Sequence, residues 1–378
     1  MREQVFRQAR LVLPNEVVLG SVCIRDGVIV DIQPGAAGQR GQDLQGDLLL
    51  PGLVELHTDN LEHHAMPRPR VSFPMLGAMQ AHDAELAAAG ITTVLDAIGI
   101  GDPYGEGFRA GDQSAMLAVL DKLEAAEVLR CDHLLHLRCE LPDPKSRALF
   151  EPFMGHRRLR LLSLMDHTPG QRQWADLRHA RTHFTGKKGW SDAQFDAQVE
   201  LAPERQALHA EPNRHWFANQ ARQHGVALAT HDDATAAHVD EAQALGARIC
   251  EFPTTLDAAH HAHALGLTTV GGAPNVLRGG SHAGNVSALT LAREGVLDVL
   301  SSDYVPGSLL QSAWLLVQEA GWSLSAAVAA ISRKPALACG LSDRGSIEVG
   351  LRADLLRVRE LDGTPLVREA YLGGRRVI

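Results

Sequence analysis

Short apolar runs recur along this chain, and each ends in a polar side chain able to do chemistry. The first is Leu48-Leu49-Leu50-Pro51-Gly52-Leu53-Val54-Glu55-Leu56-His57-Thr58-Asp59-Asn60. Side chains alternate between the two faces of a strand, so His57 and Asp59 are expected to point the same way at its carboxyl end. Gly90 to Asp96 ends in Asp, His133 to Glu140 in Glu, Leu159 to His167 in Asp-His, and Val226 to Asp233 in His-Asp-Asp. Ala247 to Glu251 ends in Glu, Leu267 to Asn275 in Asn, and Leu297 to Asp303 in Asp. One such run alone reads as a core strand entering a polar turn. Eight of them, separated by helix-like segments, predict an α/β fold with a parallel sheet. Spread over about 250 residues they fit a (β/α)8 TIM-like barrel, whose site lies at the carboxyl ends of the strands. Strand ends carrying His and Asp then suggest a metal-dependent hydrolase.

The two ends of the chain follow a different rhythm. Val17 to Ile24, Val28 to Ile32 and Asp43 to Leu50 read as short strands, with Arg25-Asp26-Gly27 as a hairpin turn. The tail repeats this in Leu355 to Val358, Pro365 to Leu372 and Arg375 to Ile378, with Gly373-Gly374 as a turn. Neither end can bury a core alone. Together they are expected to form a small β-sandwich from residues 1–50 and 339–378, flanking a barrel over 51–338.

Composition narrows the chemistry. The net charge of −9 over 378 residues gives no general attraction to nucleic acid, so an anionic substrate needs a local basic site. Five cysteines (Cys23, Cys131, Cys139, Cys250, Cys339) show no C-x-x-C spacing, and their odd number argues against a disulfide framework and for the cytoplasm. No run approaches a membrane span, and Met1 to Arg10 lacks the apolar stretch of a secretory signal. Histidine is abundant, at 19 residues, but His260, His261 and His263 fall in a helix-like stretch and are expected at the surface.

The order of these runs, with Gly350-Leu351-Arg352-Ala353-Asp354-Leu355 near the end, resembles the amidohydrolase superfamily over nearly the whole chain. A closer resemblance rests on Glu55 to Glu62, Pro67-Arg68-Pro69-Arg70, His136 to Glu140, Met165 to Gln173, His231 to Thr235, Glu251 to Thr255, Gly272 to His282 and Ser301 to Tyr304. These strings are similar to the PhnM-type α-D-ribose 1-methylphosphonate 5-triphosphate diphosphatases. The resemblance implies hydrolysis of that ribose triphosphate to the 5-phosphate and pyrophosphate, in the carbon–phosphorus lyase route of phosphonate catabolism. Two departures from the superfamily stand out: His57-Thr58-Asp59 where most members carry His-x-His, and Glu251 where most carry His. A ligand set richer in carboxylates favours harder ions such as Mn²⁺ or Mg²⁺, with Zn²⁺ still compatible with mixed ligands.

Hydrolysing a phosphoanhydride needs an activated water and neutralised phosphoryl charge, which two divalent ions roughly 3.5–4 Å apart supply. The candidate ligands are His57, Asp59, Glu140, His167, His231 and Asp303. Glu140, at an exit between the first and last ligand strands, is the choice for a bridge, against a structural salt bridge with Arg138. Asp166 and His167 compete for one role, because neighbours on a strand face opposite ways, and His167 is preferred. Helix capping or substrate binding is the alternative for His167. The superfamily implies a double role for Asp303, as ligand and as general base. Glu251 stays open between ligand, partner holding a histidine, and core-edge residue.

Arg68, Arg70, Arg138, Arg172 and Arg278 all follow strands on the exit side, where guanidinium groups suit phosphate. His282, in the loop Gly279 to Asn285, joins them as a substrate contact. The expected partner is a small phosphorylated ribose, with neither nucleic acid nor membrane, and a homodimer is compatible with this. A rival reading is C–N hydrolysis, deacetylase or dihydroorotase-like, on a phosphorylated small molecule. Five arginines at the mouth favour the polyphosphate instead. A scaffold that had lost its chemistry would have lost several of these His and Asp residues.

Overall fold

The computed structural model describes residues 3–35, 40–68, 71–104, 114–187, 189–281 and 284–378. The first five strands are β1 (Glu3–Val12), β2 (Val17–Arg25), β3 (Val28–Pro34), β4 (Gln42–Asp43) and β5 (Leu48–Pro51). Eight barrel strands follow: β6 (Leu53–Thr58), β7 (Ile91–Ile100), β8 (Asp132–Glu140), β9 (Leu159–Met165), β10 (Ala227–His231), β11 (Ile249–Glu251), β12 (Thr268–Gly272) and β13 (Val299–Ser301). The tail adds β14 (Leu355–Leu361), β15 (Thr364–Leu372) and β16 (Arg375–Arg376).

All eight barrel strands expected from the apolar runs form, and they pair in parallel in chain order from β6 to β13. The ring nearly closes on itself. Thr58 bridges Asp303 in parallel, and the Asp59 N–H donates to the Asp303 carbonyl at 3.3 Å. Glu55, fully buried, sits across the same seam. Its carboxylate accepts the His57 N–H and the Ser302 N–H, each at 2.6 Å. The interior is filled by Val54, Leu56, Leu95, Leu134, Leu161, Ala229, Ile249, Val270 and Val299, so the barrel is a packed core beneath its mouth.

The terminal segments pair into one hydrogen-bonded sheet, in the order β16-β15-β14-β5-β1-β2-β3, with β4 beside β1. Phe6, Leu11, Val22, Ile24, Ile29, Leu49, Leu355 and Tyr371 give it a core of its own. Each such burial is worth about 1.5–3 kcal/mol, which neither end collects without the other. Asp26 and Gly27 turn β2 into β3 with φ of 49° and 84°, the two left-handed residues that a tight hairpin turn needs.

Two registers differ from the simplest reading of the apolar runs. The long first run is split at Gly52: β5 joins the terminal sheet and β6 joins the barrel. A side chain on Gly52 would collide with Thr92, so only glycine lets the chain pass there. The second run continues past Asp96 to Ile100, so Asp96 lies inside β7 and not at its exit. It is wholly buried and pairs with His82 on the helix Met75–Ala88 and with His133 on β8. A carboxylate can sit inside an apolar strand because two imidazoles satisfy it.

Between β9 and β10 the chain inserts the helices Leu177–Lys187 and Asp192–His224. Ser191 and Gln194 form a reciprocal cap at the start of the second, and Gly225 ends it at φ 63°. Trp174, Ala180, Phe184 and Phe195 make a satellite core there, with Tyr104 packed against it. The Tyr104 hydroxyl donates to the His167 carbonyl at 3.3 Å.

Candidate functional site

A cavity opens at the carboxyl ends of the barrel strands. His57, Arg138, His167, His231, Asp232, Phe252, Asn275, Arg278 and Asp303 are among the residues that line it. Three of them follow strand ends in the left-handed conformation: Asp232 after β10 (φ 56°), Phe252 after β11 (φ 52°) and Asp303 after β13 (φ 52°). Each costs about 1–3 kcal/mol of backbone strain for a non-glycine residue. The turn redirects the side chain that strand alternation would have sent elsewhere. It explains why Asp232 reaches the cavity beside His231, with Oδ2 at 3.4 Å from His231 Nε2.

His57 and His231, on β6 and β10, stack with ring centroids 5.4 Å apart. Glu251, on β11, lies behind both and is fully buried. His57 Nδ1 is 3.1 Å from Glu251 Oε1, and His231 Nδ1 is 3.3 Å from Glu251 Oε2. The Ser163 hydroxyl donates to Oε2 at 2.5 Å, and its oxygen is 2.5 Å from His136 Nε2. His136 is held at its other nitrogen by the Leu56 carbonyl at 2.9 Å.

Burial pulls the His57 imidazole down to about 4, against the opposing pull of Glu251, and pulls His136 down to about 3. Burial would raise the Glu251 carboxyl, but the surrounding His136 and His57 hold it well below the usual range. His57 is therefore neutral near pH 7, the form in which an imidazole can ligate a metal.

The expected site residues divide by position. His57, His167, His231, Asp303, Arg138 and Arg278 all face the cavity. Asp59 follows Thr58, the last residue of β6, with a backbone that is no longer extended (φ −95°, ψ 15°), and it is not among the residues that line the cavity. Its Oδ2 accepts from Arg138 at 3.4 Å. Glu140 has both oxygens on His167, taking the backbone N–H at 3.0 Å and the ring Nδ1 at 2.6 Å. Burial opposes charge on His167, yet Glu140 outweighs it and raises the imidazole.

Arg172 lies under the rim. It donates to Asp233 at 2.5 Å and to the His231 carbonyl at 3.1 Å, bracing the end of β10. Arg68 is exposed and does not line the cavity, whereas Arg138 is buried and its Nε has no hydrogen-bond partner among the described residues. Arg70 and His282 lie outside the described residues.

Sequence reasoning passed over Asp232, His136 and Ser163. His136 had a signal, since it shares strand parity with Arg138 and Glu140. Asp232 had none that alternation could supply, because its place depends on the left-handed turn.

The donors fit a divalent metal. His167, His231 and Asp232 each offer a ligand atom within 4.8 Å of the others. Mixed nitrogen and oxygen donors of this kind suit Zn²⁺ or Mn²⁺. Among the described residues no helix is long and apolar enough to cross a membrane, and all five cysteines are unpaired.

Comparison with known proteins agrees with this picture. Residues 185–371 match the amidohydrolase family. Solved structures with the same fold include the 5-methylcytosine deaminase of Klebsiella pneumoniae, at TM-score 0.66 and 15% identity, covering 99% of this chain and 98% of that one. The N-acetylglucosamine-6-phosphate deacetylase of Pasteurella multocida superposes at TM-score 0.63 with 13% identity, covering 99% of each chain. At such identities these two speak for the fold alone. The chain is also 43% identical to the α-D-ribose 1-methylphosphonate 5-triphosphate diphosphatase of Escherichia coli K12, over 99% of its own length and 100% of that enzyme. This chain belongs to the amidohydrolase family and, within it, to the family of that E. coli enzyme.

Proposed function

We propose that the chain hydrolyses α-D-ribose 1-methylphosphonate 5-triphosphate to the 5-phosphate and pyrophosphate, as a step in phosphonate catabolism. Similarity along the whole chain to the E. coli diphosphatase supports the substrate. The observation that carries the chemistry is one cavity in which His57, His231, His167 and Asp303 stand beside Arg138 and Arg278. Metal-capable donors and guanidinium groups together suit a metal-assisted attack on a polyanion.

Divalent ions, two in our reading, would supply positive charge to the phosphoryl oxygens and make a water acidic enough to deprotonate near neutral pH. His57, His231, His167 and Asp303 are the residues that would hold them, with Asp232 as an added donor. Asp59 stands at the rim beside Arg138, and Glu140 keeps the His167 ring in place. The Asp303 carboxylate accepts the proton of the attacking water. Attack on the α-phosphorus breaks its bond to the oxygen that bridges to the β-phosphorus, and pyrophosphate leaves with that oxygen. Arg138 and Arg278, which both line the cavity, hold the phosphate oxygens. A cytoplasmic setting fits the five unpaired cysteines.

The test is turnover of the ribose triphosphate and of nucleoside triphosphates with Mn²⁺ or Zn²⁺, followed by ³¹P NMR. Equal amounts of pyrophosphate and the 5-phosphate are expected. Release of orthophosphate, or hydrolysis of amides with the triphosphate left intact, would overturn the assignment.

A further inference from the structure

We propose that Glu251 is a positioning residue, the hub of a brace that aims the His57 and His231 Nε2 atoms into the cavity. This rests on the proposed metal-dependent reading of the same site. Glu251 occupies the exit of β11, where a direct ligand would be the simplest expectation.

By distance Glu251 could hold an ion with His57 and His136, but its hydrogen bonds and its place behind the cavity wall point the other way. His57 and His231 line the cavity, and Glu251 does not. Its two oxygens are spread over three partners: Oε1 on His57 Nδ1, and Oε2 on both His231 Nδ1 and the Ser163 hydroxyl. A carboxylate so engaged on the inner side holds each ring by Nδ1, which leaves Nε2 as the ring's remaining lone pair. The Ser163 oxygen also lies 2.5 Å from His136 Nε2, so the hydroxyl is fixed between Glu251 and His136. Side chains from β6, β8, β9, β10 and β11 thus meet at one level of the barrel, just above the apolar interior. Five strands tied at one layer fix the angle between the two ligand rings, where a lone histidine would swing about its side-chain torsions.

Two substitutions test this, both read by metal affinity and not by turnover. Glu251→Gln keeps the shape and removes the charge. In a chelator-competition titration with Zn²⁺, it should weaken metal binding by about 10–100-fold, the usual cost of losing an outer partner of a ligating histidine. The visible spectrum of the Co²⁺-loaded variant should keep its band positions and intensity, because no ligand atom is lost. Ser163→Ala touches only the brace and should weaken affinity in the same direction by a smaller factor. It carries the test if Glu251→Gln fails to fold.

Unchanged affinity in both variants would overturn the proposal. So would a Co²⁺ spectrum in Glu251→Gln showing a changed coordination number, which would make Glu251 a ligand. Because substrate is absent from both measurements, failure of the diphosphatase reading would leave these outcomes interpretable.

Discussion

Two groups of metal-capable side chains sit on the same barrel and differ in what they have left to offer. At the mouth, His57, His167, His231, Asp232 and Asp303 border open space. On the flank, His82, Asp83, Asp96 and His133 are enclosed between the helix Met75–Ala88 and strands β7 and β8. The flank closes on itself. Asp96 gives one oxygen to His82 at 2.7 Å and the other to His133 at 2.9 Å. The second nitrogen of His133 meets Asp83 at 3.3 Å, and that of His82 meets the Asn60 amide at 3.2 Å.

By residue type the flank could hold a metal as well as the mouth could. It differs in having every donor used, and none of its residues lines the mouth cavity. A buried polar cluster that is fully satisfied stiffens a fold, whereas one with spare lone pairs at an opening can bind.

The sharpest way to break this contrast is to remove one ligand candidate from each side. His57→Ala or His231→Ala should lower kcat by more than about 10³-fold, at or beyond the loss seen for a main electrostatic group. Circular dichroism should still show a folded barrel, and bound metal should fall. Removing metal from the intact enzyme with EDTA should abolish turnover reversibly. Asp96→Asn should do the reverse. It takes the carboxylate from His82 and leaves His133 with Asp83 alone, so urea unfolding should show a loss of about 3–5 kcal/mol. Metal content per folded molecule should stay as in the parent, and a fall in it would move the metal to the flank.

The second contrast is in pH. Burial alone would lower His133, but the charge of Asp96 and the hydrogen bonds His133 donates to Asp83 and Asp96 raise it to about 9. A raised histidine stabilises fully below its unfolded value near 6.5, and that contribution is lost as pH climbs through about 9. Burial would raise Asp96, but His133 and His82 pull it below the usual carboxylate range. Its contribution is present above its unfolded value near 3.9 and is lost as pH falls through the depressed one. The flank should therefore stabilise most between roughly pH 4 and 6.5. The urea midpoint should decline from about pH 7 to pH 9, and Asp96→Asn should flatten that decline. A variant with the parent's slope would detach the slope from the flank.

The smallest effect belongs to recognition. Arg278→Ala removes an exposed guanidinium from the cavity wall. KM for the triphosphate should rise by about 10–100-fold, matching one charged hydrogen bond of about 1.5–3 kcal/mol. Metal affinity should not move. A change in metal affinity, with KM constant, would assign Arg278 to the metal side of the cavity.

What could be read from the chain without its structure was local. Each barrel strand announced itself as an apolar run of a few residues, and His57, His231 and Asp303 stood at the ends of such runs. The terminal sheet was readable because Asp26-Gly27 and Gly373-Gly374 mark tight turns between alternating stretches. Features that depend on contact between distant segments were not readable. Nothing in the run around Asp96 says that His82 and His133 will satisfy it inside the strand. Nothing near Asp59 says that the strand ends at Thr58 and that Asp59 meets Arg138. Sequence alone leaves Glu251 three roles because its partners come from three other strands, and only their meeting at one layer separates those roles.

The measurement that bears most directly on the account is anomalous diffraction from crystals grown with Mn²⁺ or Zn²⁺. A peak is expected in the cavity, within about 2.0–2.2 Å of His57 and His231 nitrogens, and none among His82, Asp96 and His133. A peak on the flank, with the cavity empty of metal, would contradict it.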